Sequence, residues 1–144
     1  MALSGEIDVM ENFGRANLDG STNHAAVHGP GYSGTGIAGT FTLPHGQQLS
    51  DDFHVYAVEW HENQIAFFVD GQRYFEVTPA DLPPGAEWVF HNRPFYILLN
   101  LAVGGSPAPV GYPDESTVFP QEMLVDFAYI SAAFRRLSEH GDPL

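Results

Sequence analysis

Glu6-Ile7-Asp8-Val9-Met10-Glu11 puts three carboxylates into six residues of an otherwise apolar, strand-like run, bracketed by Gly5 and Asn12. In a strand, side chains i and i+2 share one face and the residues between them point the other way. Glu6 and Asp8 therefore face one side, Ile7 and Val9 the other. Strict alternation would then turn Met10 to the carboxylate face and Glu11 into the core, where an unpaired charge costs several kcal/mol. One extra residue near Val9 or Met10, a β-bulge, removes the conflict and brings Glu11 round beside Glu6 and Asp8. The two glutamates are then about four pleat positions apart, with Cα atoms roughly 13 Å apart at roughly 3.3 Å of rise per residue.

Leaning side chains close much of that gap, which is compatible with the roughly 5–5.5 Å carboxyl separation of a retaining glycosidase. That chemistry needs one carboxylate to attack the anomeric carbon and one carboxylic acid to protonate the leaving oxygen. An acid between them has a use: Asp8 can hydrogen-bond Glu6 and add negative charge near Glu11, favouring the protonated acid there. On spacing alone, a solvated strand face or a set of calcium ligands competes with this reading.

The run Glu6 to Glu11 resembles the active-site signature of glycoside hydrolase family 16 in its bulged form, with two residues between the aspartate and the second glutamate. Further blocks are similar to the laminarinase-type members and come in the family's order. They are His28-Gly29-Pro30-Gly31-Tyr32-Ser33-Gly34, Asp52 to Trp60, Ile65 to Gly71, Pro94 to Gly105, and Met123 to Phe127. The resemblance spans roughly residues 5 to 130. It implies an all-β fold, a concanavalin A-like β-jelly-roll sandwich, with a cleft for a β-linked polysaccharide on its concave sheet. It implies Glu6 as nucleophile, Asp8 as its assistant and Glu11 as general acid and base in a retaining endo-β-1,3-glucanase. His28, His54 and Asn100 are the candidate substrate contacts. The matching aspartate in many members helps bind a structural calcium ion, which makes Asp126 a candidate ligand; catalysis itself needs no cofactor. Secretion is the family expectation. A glucan-binding module or pseudoenzyme that keeps the carboxylates without turnover is the alternative, and a calcium-binding interaction domain a third.

Composition narrows the partners. Eighteen acids against five arginines and no lysine give a formal charge of −13. Such a chain repels nucleic acid and anionic membrane surfaces, and it is poorly suited to a sulfated polysaccharide, which calls for cationic side chains. There is no cysteine, so no disulfide contributes, and no apolar run approaches transmembrane length. The 144 residues read as one domain without an internal repeat or a dividing linker.

Along the chain, 15–50 reads as loops with one short strand around Ile37 to Leu43. Val55 to Trp60 and Gln64 to Val69 alternate as strands, and Asp70-Gly71 is a hairpin signal leading into Arg73 to Val77. Thr78 to Glu87 is a Pro-rich connection with one helical turn. Phe95 to Val103 predicts a central strand, with Asn100 on the face opposite Leu99 and Leu101. Met123 to Ile130 predicts a last strand, and Ser131 to Glu139 a short helix. Trp60 alternates with Val58 and Tyr56 and is expected in the core. Gly29, Gly31 and Gly34 satisfy GxGxxG, but Pro30 interrupts the pattern and no helix follows, against a dinucleotide loop.

The signature begins five residues from the start, whereas family members place it near the middle of the domain. The strands and cleft residues that usually precede it are not found in this sequence, and Ser106-Pro107-Ala108-Pro109 replaces an aromatic often found after Gly104-Gly105. The expectation is a partial sandwich, whose uncovered apolar faces and strand edges favour self-association.

Overall fold

The computed structural model describes residues 4–13, 20–105 and 111–131. The expected helix at Ser131 to Glu139 and the Ser106 to Pro109 segment lie essentially outside the described residues. Among the described residues six strands form two antiparallel sheets. The first sheet has the order β1 (Glu6–Glu11), β2 (Thr22–His28), β3 (Ile37–Thr42). The second has the order β4 (Tyr56–His61), β5 (Gln64–Val69), β6 (Gln72–Val77). Asp70 and Gly71 both have positive φ, 51° and 78°, the conformation that closes a two-residue hairpin with the strands' own right-handed twist. A single 3₁₀ turn follows at Pro79–Asp81, where the Asp81 carboxylate accepts from the Thr78 N–H at 2.8 Å.

β2 is the strand that sequence reading misses, because its apolar positions are broken by Asn23, His24 and His28. Its alternation becomes plain once it is paired: Asn23, Ala25 and Val27 point inward and are wholly buried. β3 alternates likewise, with Ala38, Thr40 and Thr42 exposed and Ile37, Gly39 and Phe41 half-buried. The core between the sheets joins Ala25 and Val27 to Ile65, Phe67 and Val77, and is closed by Trp88, Val89 and Phe90. Ile7 of β1 packs against it. Burying side chains of this size contributes about 1.5–3 kcal/mol each.

Three expectations are corrected. Phe95 to Val103 is not a ladder strand among the described residues, and Tyr96, Ile97, Leu98, Leu99, Leu101 and Val103 are all exposed. Met123 to Ile130 is likewise unladdered, with Leu124, Phe127 and Tyr129 exposed. The physical reason is that a strand is made by its neighbours: a run apolar on both faces forms a central strand only where partner strands and a covering layer exist. Trp60 is 40% exposed rather than buried; its indole N–H donates to the Phe90 carbonyl at 2.7 Å and its ring meets Phe95 edge-on.

Candidate active site

The register of β1 on β2 sets the site. Glu6 pairs with His28, Ile7 with Val27 and Asp8 with Ala26, and the ladder then resumes with Glu11 opposite His24. Val9 and Met10 together oppose Ala25, which is the bulge the carboxylate spacing predicts. Without it, Glu11 would fall opposite Asn23 on the buried face. With it, Glu6, Asp8 and Glu11 share the outward face, and directly paired residues share that face too. One row runs Glu6–His28, the next Asp8–Ala26–Ala38, and the third Glu11–His24–Thr40. Small Ala26 and Ala38 leave a shallow trough between the polar rows.

Glu6 and Glu11 are exposed, while Asp8 is half-buried between them. His28 Nε2 lies 3.1 Å from Asp8 Oδ2. Burial pushes the Asp8 carboxyl up from its ordinary 3.8 to about 6, the Glu6 and Glu11 charges and a hydrogen bond with Glu6 add to the rise, and His28 opposes it. Below that value Asp8 holds a proton that it can donate to Glu6.

His28 is itself tightly placed. Its Nδ1 is buried without a hydrogen-bond partner, and Gly36 packs on the ring so closely that a Cβ there would lie 2.6 Å from Cε1 and 2.8 Å from Nδ1. Gly36 also has φ of +67°, which disfavours a side chain. Gly36→Ala is expected to lift His28 off Asp8 and cost about 1–3 kcal/mol of stability. Removing the group that lowers it should also move the Asp8 midpoint further up, which carboxyl NMR titration would read. An unmoved midpoint would show that the ring keeps its place.

The turn after β2 anchors the strand's end. The Tyr32 N–H donates to the Gly29 carbonyl at 3.0 Å and its hydroxyl to the Glu87 carbonyl, while the Glu87 N–H donates to Pro30. A strand, β3, follows the three glycines rather than a helix.

The other sequence candidates lie outside the strands of the first sheet. His54 precedes β4 on the second sheet, with Nδ1 2.7 Å from Asp70 Oδ2, and the other Asp70 oxygen accepts from the Val55 N–H at 2.9 Å. This ties the start of β4 to the end of β5. Asn100 is exposed in the unladdered segment, together with Leu99 and Leu101, so no face is distinguished there. Asp126 is exposed in the second such segment. Among the described residues no group of three or more His, Asp or Glu side chains is arranged to hold a metal ion. Conversely, His24 joins the site, because β2 is a ladder strand where a loop is expected. Its ring lies 5.0 Å from that of Phe13, and the signal that would have found it is its even spacing from Ala26 and His28.

The family model for glycosyl hydrolases family 16 matches residues 2–121. The chain belongs to that family. The family 16 chain is 38% identical over 139 residues to glucan endo-1,3-beta-glucosidase A1 of Niallia circulans, covering 90% of this chain and 19% of that protein. Among solved structures it resembles the endo-beta-1,3-glucanase from Pyrococcus furiosus with a TM-score of 0.71 and 49% identity, covering 81% of this chain and 43% of that one. The laminarinase catalytic domain from Thermotoga maritima gives a TM-score of 0.72 and 44% identity, over 83% of this chain and 46% of that one. The two sheets are thus part of a family 16 jelly roll, and the family 16 chain spans less than half the length of these relatives.

Proposed function

We propose that this chain carries the catalytic strand of a retaining endo-acting β-1,3-glucanase. The observation that supports the reading most is the placement of Glu6, Asp8 and Glu11 on one face of a bulged strand in a family 16 chain whose relatives include endo-1,3-β-glucanases.

In this reading Glu6 attacks the anomeric carbon, and Glu11 transfers its proton to the glycosidic oxygen as that bond breaks. The first product leaves with a new hydroxyl, and the glycosyl group stays esterified to Glu6. Water then enters; Glu11 takes its proton, the oxygen bonds to the anomeric carbon, and Glu6 is released as carboxylate. Asp8, half-buried and raised in pKa, donates a hydrogen bond to Glu6 in its protonated form and so orients the nucleophile. His28 contacts Asp8 at 3.1 Å, while His24, Thr40 and Thr42 offer donors and acceptors to sugar hydroxyls along the trough.

Incubation with a linear β-1,3-glucan is expected to release oligosaccharides and new reducing ends, with β-anomers appearing first by proton NMR. Release of α-anomers first would rule out retention. Saturable glucan binding without new reducing ends would replace the enzyme reading with that of a binding module.

A further inference from the structure

Asn23 is the one polar side chain in the inward row of β2, and like Ala25 and Val27 beside it, it is wholly buried. A buried amide is costly unless its groups are bonded. Asn23 is only partly bonded: Nδ2 donates to the Val9 carbonyl at 3.3 Å and to the Tyr74 hydroxyl at 2.9 Å, while Oδ1 has no partner. An apolar residue would pack in this row without that penalty, so stability alone does not account for the amide.

The two partners share a property. Val9 lies in the β1 bulge, between the Asp8–Ala26 and Glu11–His24 pairs. Tyr74 lies in a second bulge, because β6 pairs Phe75 with Phe67 and then Arg73 with Phe68, leaving Tyr74 as the extra residue. That extra residue sends the Tyr74 ring inward, where it tilts against Phe41, the β3 residue paired with Asn23. One amide therefore ties a bulge in each sheet across the core. A bulge breaks the regular ladder and leaves backbone groups to be satisfied otherwise, and Asn23 supplies the Val9 carbonyl with a donor.

We propose that Asn23, held by Tyr74, is a positioning residue that locks the β1 bulge and thereby the placement of Glu11 relative to Glu6. The catalytic part of this inference rests on the roles proposed above; the locking of the bulge does not. Slippage of the bulge would turn Glu11 toward the buried face and Met10 toward the trough.

The test compares Asn23→Val with Asn23→Thr in the full chain. The two replacements have nearly the same shape, both suit a strand, and only threonine keeps a donor. With Asn23→Val, amide exchange at residues 9–11 is expected to rise about tenfold or more. Its kcat on linear β-1,3-glucan is expected to fall about 10- to 100-fold, with KM changed less than about threefold. Asn23→Thr should recover most of both losses. Equal behaviour of the two variants, or wild-type exchange in Asn23→Val, would overturn the proposal. Should wild type show no turnover, the enzyme reading fails, and exchange alone decides whether Asn23 locks the bulge. Tyr74→Phe provides a milder second probe: exchange at residues 9–11 should rise about threefold, and an unchanged rate would count against the link between the sheets.

Discussion

Glu6→Gln is expected to lower turnover of linear β-1,3-glucan by about 10⁴-fold or more, since the amide cannot replace the carboxylate as nucleophile and the covalent route closes. Glu11→Gln is expected to lose about 10²–10⁴-fold on the same substrate, the range contributed by a positioned general acid and base. The two losses differ in kind. An aryl β-glucoside of the same linkage, whose phenolate leaves without protonation, should restore the first step in Glu11→Gln and leave Glu6→Gln inactive. The glycosyl-enzyme should then accumulate in Glu11→Gln as an initial burst of phenolate, because nothing deprotonates the incoming water. Both side chains are exposed, so the substitutions should change stability by no more than about 0.5 kcal/mol, and loss of activity is not a folding effect. Unchanged glucan turnover in both variants would sink the assignment, and a burst in Glu6→Gln instead would exchange the two roles.

Asp8→Asn is expected to make the protein more stable at neutral pH. The Asp8 carboxyl is raised by burial first and then by the Glu6 and Glu11 charges, from 3.8 to about 6. Because the folded state binds this proton more tightly than the unfolded chain, Asp8's contribution is fully present below about pH 4. It is lost as pH rises toward and through about 6, and remains lost above that. At about 1.4 kcal/mol per pH unit, the loss is about 3 kcal/mol, and solvent access to the side chain, which is 19% exposed, trims it to about 2 kcal/mol. The amide that replaces the carboxyl carries no charge and retains a donor for Glu6. The variant's melting temperature should therefore exceed wild type by roughly 4–8 °C at pH 7 and match it near pH 4. Parallel stability curves for the two proteins from pH 4 to 7 would remove Asp8 from this account.

What could be read in advance follows the range of the physics. The bulge was legible because it answers a local conflict: Glu11 cannot follow Asp8 by strict alternation without entering the core. The hairpin at Asp70-Gly71 was legible for the same reason, since two adjacent residues carry the positive φ. β2 was not legible, because His24 and His28 face the trough while Asn23 faces the core, and polarity on both faces hides the period of two. Phe95 to Val103 and Met123 to Ile130 erred the other way. Their apolar runs suit a central strand, but without a ladder among the described residues both faces stay exposed.

The sequence by itself determined that three carboxylates share one face of a bulged strand, that the chain is β-rich, and which family signature it carries. These depend on bond geometry and alternation within a few residues. Only the tertiary structure decided that His28 holds Asp8, that His24 flanks Glu11, and that Asn23 joins the two bulges through Tyr74, 51 residues away. Those contacts follow from the register between strands distant in sequence. Register is set when whole apolar faces are buried together, so no short stretch of residues contains it.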